Sequence, residues 1–377
     1  MINAYHILFV IILLLGFLYN LLRKVKFKVG KKKINVSNFL LILAGSYLVL
    51  FSGLVGNVAS DHNQYIYIYN NIKIYSLQSF FTLTHKIKGV EKGYGLLLWI
   101  IGNIFDNNIY IFILSSILVI TPIILFAKKT KDPFLFLIFF LAFGYYFSSF
   151  NVIRQTIVAS LFLFSIKYII LGNFKKYTCC IMLMSLIHIS AILMLVFYFL
   201  LRQRKNVKTI AIHGLTFVVA FIGMKPLMYF VDNLLFFGRY SKYTNAEGNI
   251  KSIVVPIILF CLCRILINLN KNKHLLRHYP IDAKINRSKK EVTLLTIINN
   301  ASIYWIMFWI MYIKFSYFER ITYFFIALVL FSIVEVICNI KNNEKKIMIK
   351  VFVIFIITIY YFKFGQYFDS YKLFFEN

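Results

Sequence analysis

Charge of either sign is scarce in this sequence, and negative charge is scarcest. Only 15% of the 377 residues are charged, and only 13 are Asp or Glu. A soluble domain of this size is about a quarter charged and about half apolar. With 60% hydrophobic residues, the chain does not read as a soluble protein. Cysteine is sparse too. Cys179, Cys180, Cys261, Cys263 and Cys338 all fall inside apolar blocks. None has the paired spacing of a zinc or disulfide framework, so they read as buried small apolar residues. There is no P-loop, hence no sign of nucleotide hydrolysis, and no His-Glu-x-x-His, hence no sign of a metal. No cofactor is expected. The alternating segments of an outer-membrane barrel are also absent.

What is present is uninterrupted hydrophobic length. Apolar blocks of roughly 15–22 residues alternate with short polar loops, and roughly 20 residues cross a hydrocarbon core as a helix. The expected fold is all-α: one polytopic integral membrane domain over residues 1–377. The block Tyr5–Leu22 has no basic region before it and no small-residue cleavage site after it, so it reads as a first span and not a signal peptide. The formal net charge of +29 suggests nucleic acid only at first sight. The Lys and Arg residues lie between apolar blocks, where they set orientation, and no separate basic domain carries them. Anionic lipid or phosphate is a second use for that charge; nucleic acid is not an expected partner.

Orientation follows from the basic clusters. Arg23 to Lys33 must be cytoplasmic, so the N-terminus faces outside. Phe39–Gly56 returns outside, and a polar stretch runs from Asp61 to Lys92. The next full span, Tyr110–Phe126, ends in the cytoplasmic cluster Lys128, Lys129 and Lys131. Only one crossing then fits between them, so Gly93–Phe105, too short to span, reads as interfacial or re-entrant within an outer segment 57–109. Phe134–Phe147 goes out and Asn151–Leu171 comes in. Tyr177–Leu201 lies between two basic loops. Two half-length helices hinged near His188 satisfy that parity. The rival is one long span with a basic loop outside and extra short crossings in Thr209–Phe237. Further on, 225–251 reads as outer, 270–291 as a cytoplasmic basic loop, and three more spans end near Phe368. The total is about 12 crossings, some short or re-entrant, with both termini outside.

Several residues are hard to place in lipid: Asp61, Glu91, Arg154, Gln155, His188, Arg239 and Arg320. Ionisable groups in or beside spans face protein or water. This topology gathers the set toward the outside, where one water-filled cavity could collect it. Each has a plainer reading as well. Asp61 serves equally as a helix N-cap, Glu91 as a surface partner of Lys92, and Arg154 as a residue snorkelling to headgroups. His188 serves equally as a neutral ring bonded to a carbonyl, and Arg239 and Arg320 as lipid-phosphate contacts. Tyr65, Tyr69, Tyr240, Tyr243 and Tyr323 also fit an interfacial aromatic belt. Glu335, near the inner end of its span, reads as reaching the interface. As a set, the arginines offer forked donors for phosphate or pyrophosphate, a carboxylate or imidazole could take a proton from a hydroxyl, and tyrosines stack on sugars. A lipid-linked pyrophosphate sugar at the outer leaflet suits that set.

At these residues the sequence resembles the EpsG family of Wzy-like bacterial polysaccharide polymerases. Asp61-His62-Asn63-Gln64-Tyr65, with Tyr69 beyond, is similar to an early Asp-x-x-x-Tyr segment. Glu91-Lys92-Gly93-Tyr94 resembles a Glu-x-Gly-Tyr/Phe segment, with Lys92 where Pro is common. Arg154-Gln155 and, roughly 35 residues on, His188-Ile189-Ser190-Ala191 form the most specific pair. Arg320-Ile321-Thr322-Tyr323-Phe324 resembles a late Arg-x-x-Tyr-Phe element. The resemblance implies a GT-C-like membrane glycosyltransferase in the bacterial cytoplasmic membrane, with its active site facing outside. It would join undecaprenyl-pyrophosphate-linked repeat units without a cofactor, beside a flippase and a chain-length regulator. His188, Asp61 and Glu91 become rival catalytic bases. Arg154, Gln155, Arg239, Arg320, Tyr65, Tyr69, Tyr243 and Tyr323 become substrate- or pyrophosphate-binding residues. A flippase of lipid-linked sugars, or a membrane O-acyltransferase, is the alternative; the first should show internal pseudo-symmetry, which the sequence lacks.

Overall fold

The computed structural model describes residues 3–29, 32–56, 59, 61–76, 78–79, 90–204, 211–219, 221–223, 247–269 and 292–364. Among them, six helices are long and apolar enough to cross a membrane: Ala4–Leu22, Val36–Gly53, Ile109–Ala127, Ile153–Ile170, Leu294–Lys314 and Ser316–Cys338. Pro133–Ala142 and Tyr145–Asn151, bent by 55°, make a seventh if counted as one span. The chain is an all-α, multi-pass membrane protein. Asn343–Phe364 is a further 22-residue helix, where the last span is expected, and residues 225–246 and 270–291, expected to form loops, lie outside the described set.

The bend has a local cause. Pro133 sits at the first helical turn and Asp132 caps it, accepting from Leu135 N at 3.1 Å. Gly144, at φ 81°, takes the left-handed conformation that ends the first half and starts the second. One small departure from helix follows the first span. Lys26–Val29 and Lys32–Asn35 pair antiparallel, with Lys28 opposite Lys33. The Lys-Phe-Lys-Val alternation has the period of two that a strand requires.

The chain divides into two compact units. One holds Met1–Ser165, Cys179–Ile192 and Ile337–Asn377; the other holds Ile166–Thr178 and Leu193–Val336. In the first, Val36–Gly53 packs closely on Ile109–Ala127. A Cβ at Gly53 would stand 2.9 Å from Ile113 Cα, and Ser52 Oγ donates to Ser116 Oγ at 2.7 Å. Lipid gives helices no hydrophobic reason to associate, so small residues and interhelical hydrogen bonds do that work. An Asp132–Lys350 ion pair ties Asn343–Phe364 to the start of Pro133–Ala142.

In the second unit, the stem of a hairpin is visible. Tyr177 Oη donates to the Met194 carbonyl at 2.5 Å, and the Tyr177 and Tyr198 rings lie 5.2 Å apart. One continuous helix would part residues 177 and 198 by about 30 Å. The chain therefore reverses between Phe174–Ser185 and Met194–Leu201, at the hinge expected near His188, and the single-long-span reading is excluded. Two lesser expectations are corrected. Of the five cysteines only Cys263 is buried, and Cys179 and Cys261 are exposed; an outward thiol costs little where lipid is the neighbour. Glu335 is 5% exposed, a buried side chain and not one reaching out to an interface.

Candidate functional site

The site in the first unit starts from a close backbone approach. Glu91 is the N-cap of the helix Lys92–Ile104. The first amides of that helix, Gly93 N and Tyr94 N, both donate to the Leu186 carbonyl, at 2.8 and 3.2 Å. Leu186 lies in the break that precedes His188. A Cβ at Gly93 would stand 2.6 Å from both Leu186 O and Leu186 Cβ. That contact explains why the Glu-x-Gly-Tyr segment needs glycine. Gly93→Ala is expected to cost about 1–3 kcal/mol, as overpacking does, read as a lower melting temperature in detergent; an unchanged melting temperature would refute the close-contact account.

With the two segments so joined, the Glu91 carboxylate collects three donors. Arg154 Nη1 pairs with Oε2. His188 Nδ1 lies 2.8 Å from Oε1, and Ile189 N donates to the same oxygen at 3.3 Å. The Arg154, Glu91 and His188 side chains are only 12%, 13% and 8% exposed. The Arg154 guanidinium also lies over the rings of Tyr65 and Tyr94, 6.0 and 5.9 Å from their centroids, which suits a cation. One residue on, Gln155 Oε1 accepts from Ser190 Oγ at 2.7 Å. The Arg-Gln and His-x-Ser elements are thus laced together twice, once through Glu91 and once directly.

Electrostatics assign roles within this group. Burial opposes ionisation of Glu91, but the His188 hydrogen bond and the Arg154 charge outweigh it and hold its pKa at about 2, down from 4.5. A carboxylate that acidic is a weak base. Because its folded pKa is depressed, the pairing is complete above about pH 4.5 and lost only as pH falls through about 2. A carboxylate accepts and cannot donate, so the His188 Nδ1 facing it carries the proton, and in the neutral ring Nε2 keeps the lone pair. A carboxylate–imidazole arrangement of this kind is able to orient a base.

The plainer readings of these residues give way. Glu91 is not a surface partner of Lys92, Arg154 does not snorkel, and the partner of His188 is a carboxylate. Asp61 stands at the N-cap of His62–Ile72 without a side-chain cap bond, one turn before Tyr65. Tyr69, read from sequence as substrate-binding, is fully buried, and its hydroxyl donates to the Phe105 carbonyl at 2.6 Å. Arg320 and Tyr323 belong to the second unit. There Tyr323 Oη donates to Glu319 Oε1 at 3.1 Å and Arg320 lies 5.9 Å from the centre of the Tyr317 ring. Arg239, Tyr240 and Tyr243 lie outside the described residues. Tyr94 and Ser190 were not singled out from sequence, although both stand inside the motif segments; only their contacts with Arg154 and Gln155 mark them. Among the described residues no group of three His, Cys, Asp or Glu could hold a metal ion.

A family model described as the EpsG family matches residues 38–375 of the chain. No curated protein and no solved structure matches it.

Proposed function

The chain belongs to the EpsG family of Wzy-like polysaccharide polymerases, and from that premise we propose that it moves a growing glycan from undecaprenyl pyrophosphate onto the non-reducing end of the next lipid-linked repeat unit. The reaction takes place at the outer face of the bacterial cytoplasmic membrane, in a GT-C-like fold of about 12 crossings oriented by the basic loops. The observation that carries this reading is the convergence of Glu91, Arg154 and His188 from three separate segments, with tyrosine rings beside the guanidinium.

The chemistry runs as follows. A sugar hydroxyl of the acceptor unit attacks the anomeric carbon of the donor glycan. The bond from that carbon to the pyrophosphate oxygen breaks, and undecaprenyl pyrophosphate leaves with the bonding pair. His188 Nε2 takes the hydroxyl proton while Glu91 orients the ring and stabilises the cation that forms. Arg154, at the start of Ile153–Ile170, meets the pyrophosphate with its planar fork, and the helix N-terminus adds partial positive charge. Gln155 and Tyr65 flank it. Asp61 is the rival base. Arg239, Arg320, Tyr243 and Tyr323 are further contacts to the lipid-linked substrate. A flippase and a chain-length regulator supply and limit it.

The test is the purified protein in liposomes with a lipid-linked repeat unit and no nucleotide sugar. A ladder of polymers is expected. Repeat units that cross the bilayer but never join would favour a flippase instead. The orientation has its own readout. A cysteine introduced at position 280 in a cysteine-free background should label only from the cytoplasmic side, and outside labelling would overturn it.

A further inference from the structure

His62 is a polar group in the first unit that the cluster above leaves unaccounted for. It opens the helix His62–Ile72 and is 1% exposed. Neither ring nitrogen has a hydrogen-bond partner. The ring packs on Phe112, centroids 4.2 Å apart, which satisfies its carbon face and not its nitrogens. Burial lowers its pKa to about 4, so the ring is neutral and offers one N–H donor and one lone pair. A buried polar group left dry is costly, which is why such groups nearly always find a partner.

The ring borders a cavity whose wall is partly polar. His62 lines a small cavity with the hydroxyl-bearing residues Ser52, Ser115, Ser116 and Ser149. These serines come from Val36–Gly53, Ile109–Ala127 and Tyr145–Asn151. An apolar cavity of this size would stay empty, but a polar one with two to four partners and room for roughly one water holds it. Water is the ligand class that fits, because it donates and accepts: the imidazole lacks both partners, and the hydroxyls, with Ser52 bonded to Ser116 and Ser149 to the Tyr146 carbonyl, keep lone pairs for a further donor. Ile153 forms another part of the wall, so the cavity backs directly onto the helix start that carries Arg154.

We propose that His62 and the hydroxyls of Ser52, Ser115, Ser116 and Ser149 bind an ordered water molecule, and that through it His62 is a positioning residue for Tyr65. Tyr65 lies one turn along the same helix, with its ring beside the Arg154 guanidinium. Fixing the start of that helix fixes the ring, and so one wall of the guanidinium site. His62 occupies an unspecified place in the Asp-x-x-x-Tyr segment, and only its burial and lack of partners mark it.

The kinetic arm of the test rests on the polymerase reading; the structural arm does not. A high-resolution map of the wild-type protein in lipid nanodiscs should show density within hydrogen-bond distance of a His62 nitrogen. His62→Phe should lack that density and raise KM for the lipid-linked repeat unit about fivefold, the equilibrium worth of one neutral hydrogen bond, with kcat little changed. His62→Gln, which keeps a donor and an acceptor, should restore most of the affinity. A simple packing histidine would give the opposite order, with Phe the better replacement. A dry cavity in the wild type, or a wild-type KM in His62→Phe, overturns the proposal. Should His62→Phe fail to fold, the wild-type map and the His62→Gln kinetics decide it. Should the wild-type protein make no polymer, the polymerase reading fails while the map still decides the water.

Discussion

His188→Gln is expected to lower turnover by roughly 10²–10⁴-fold, the usual worth of a positioned general base, while donor binding stays close to wild type. The argument is geometric. The Glu91 carboxylate, 2.8 Å from Nδ1, fixes which nitrogen holds the proton and leaves the lone pair on Nε2. Glutamine keeps a hydrogen bond to Glu91 and about the same volume, but its amide cannot accept a proton at working pH. The fold and the Arg154–Glu91 pair therefore survive, and only the proton step is lost. Polymerisation of a lipid-linked repeat unit across pH measures this. The wild type should lose turnover on the acid side as its base is protonated, and the mutant should not show that limb. A mutant with weakened donor binding and the limb intact would make His188 a phosphate ligand. A fully active mutant would make it structural and pass the base role to Asp61.

Arg154→Lys is expected to lower kcat/KM by roughly 10- to 100-fold, the worth of one charge-assisted hydrogen bond, with normal amounts of protein in the membrane. Lysine preserves the positive charge, so Glu91 keeps a counter-ion and the unit still assembles. What is lost is the flat fork. The guanidinium lies over the Tyr65 and Tyr94 rings while bonded to Glu91, and a single ammonium on a flexible stem cannot keep those contacts and also grip a pyrophosphate. KM for the donor should rise more than kcat falls. Polymer of wild-type length at wild-type donor concentration would remove Arg154 from the site.

Much of this site could be read in advance, and the reason differs from residue to residue. Arg154 and His188 stand out because each is a polar group within an apolar block, where lipid tolerates none without a partner. Glu91 was harder. Beside Lys92 it looked like an ordinary surface acid, and its true partners lie 63 and 97 residues away. Tyr69 is a different case: in its motif segment it reads as a substrate contact, and only the structure shows its buried hydroxyl bonded to the Phe105 carbonyl. His62 carried no signal, because a histidine beside an acidic motif residue does not announce that it will be buried. The pairing of Lys26–Val29 with Lys32–Asn35 has a signal in the period-two alternation of its first strand, within a cluster whose charge also sets topology.

The sequence by itself determined that this is a helical, multi-pass membrane protein and which family it belongs to. Those properties are local and cumulative. A run of apolar residues spans a bilayer by its length alone, and a motif order survives without any contact being known. Tertiary structure decided the contacts within the cluster: that one carboxylate bridges Arg154 and His188, that this pairing keeps Glu91 charged, and that Gly93 must be glycine because Leu186 lies against it. Hydrogen bonds act over about 3 Å, and whether residues far apart in the chain meet at that distance is set by helix packing, which no single stretch of sequence encodes.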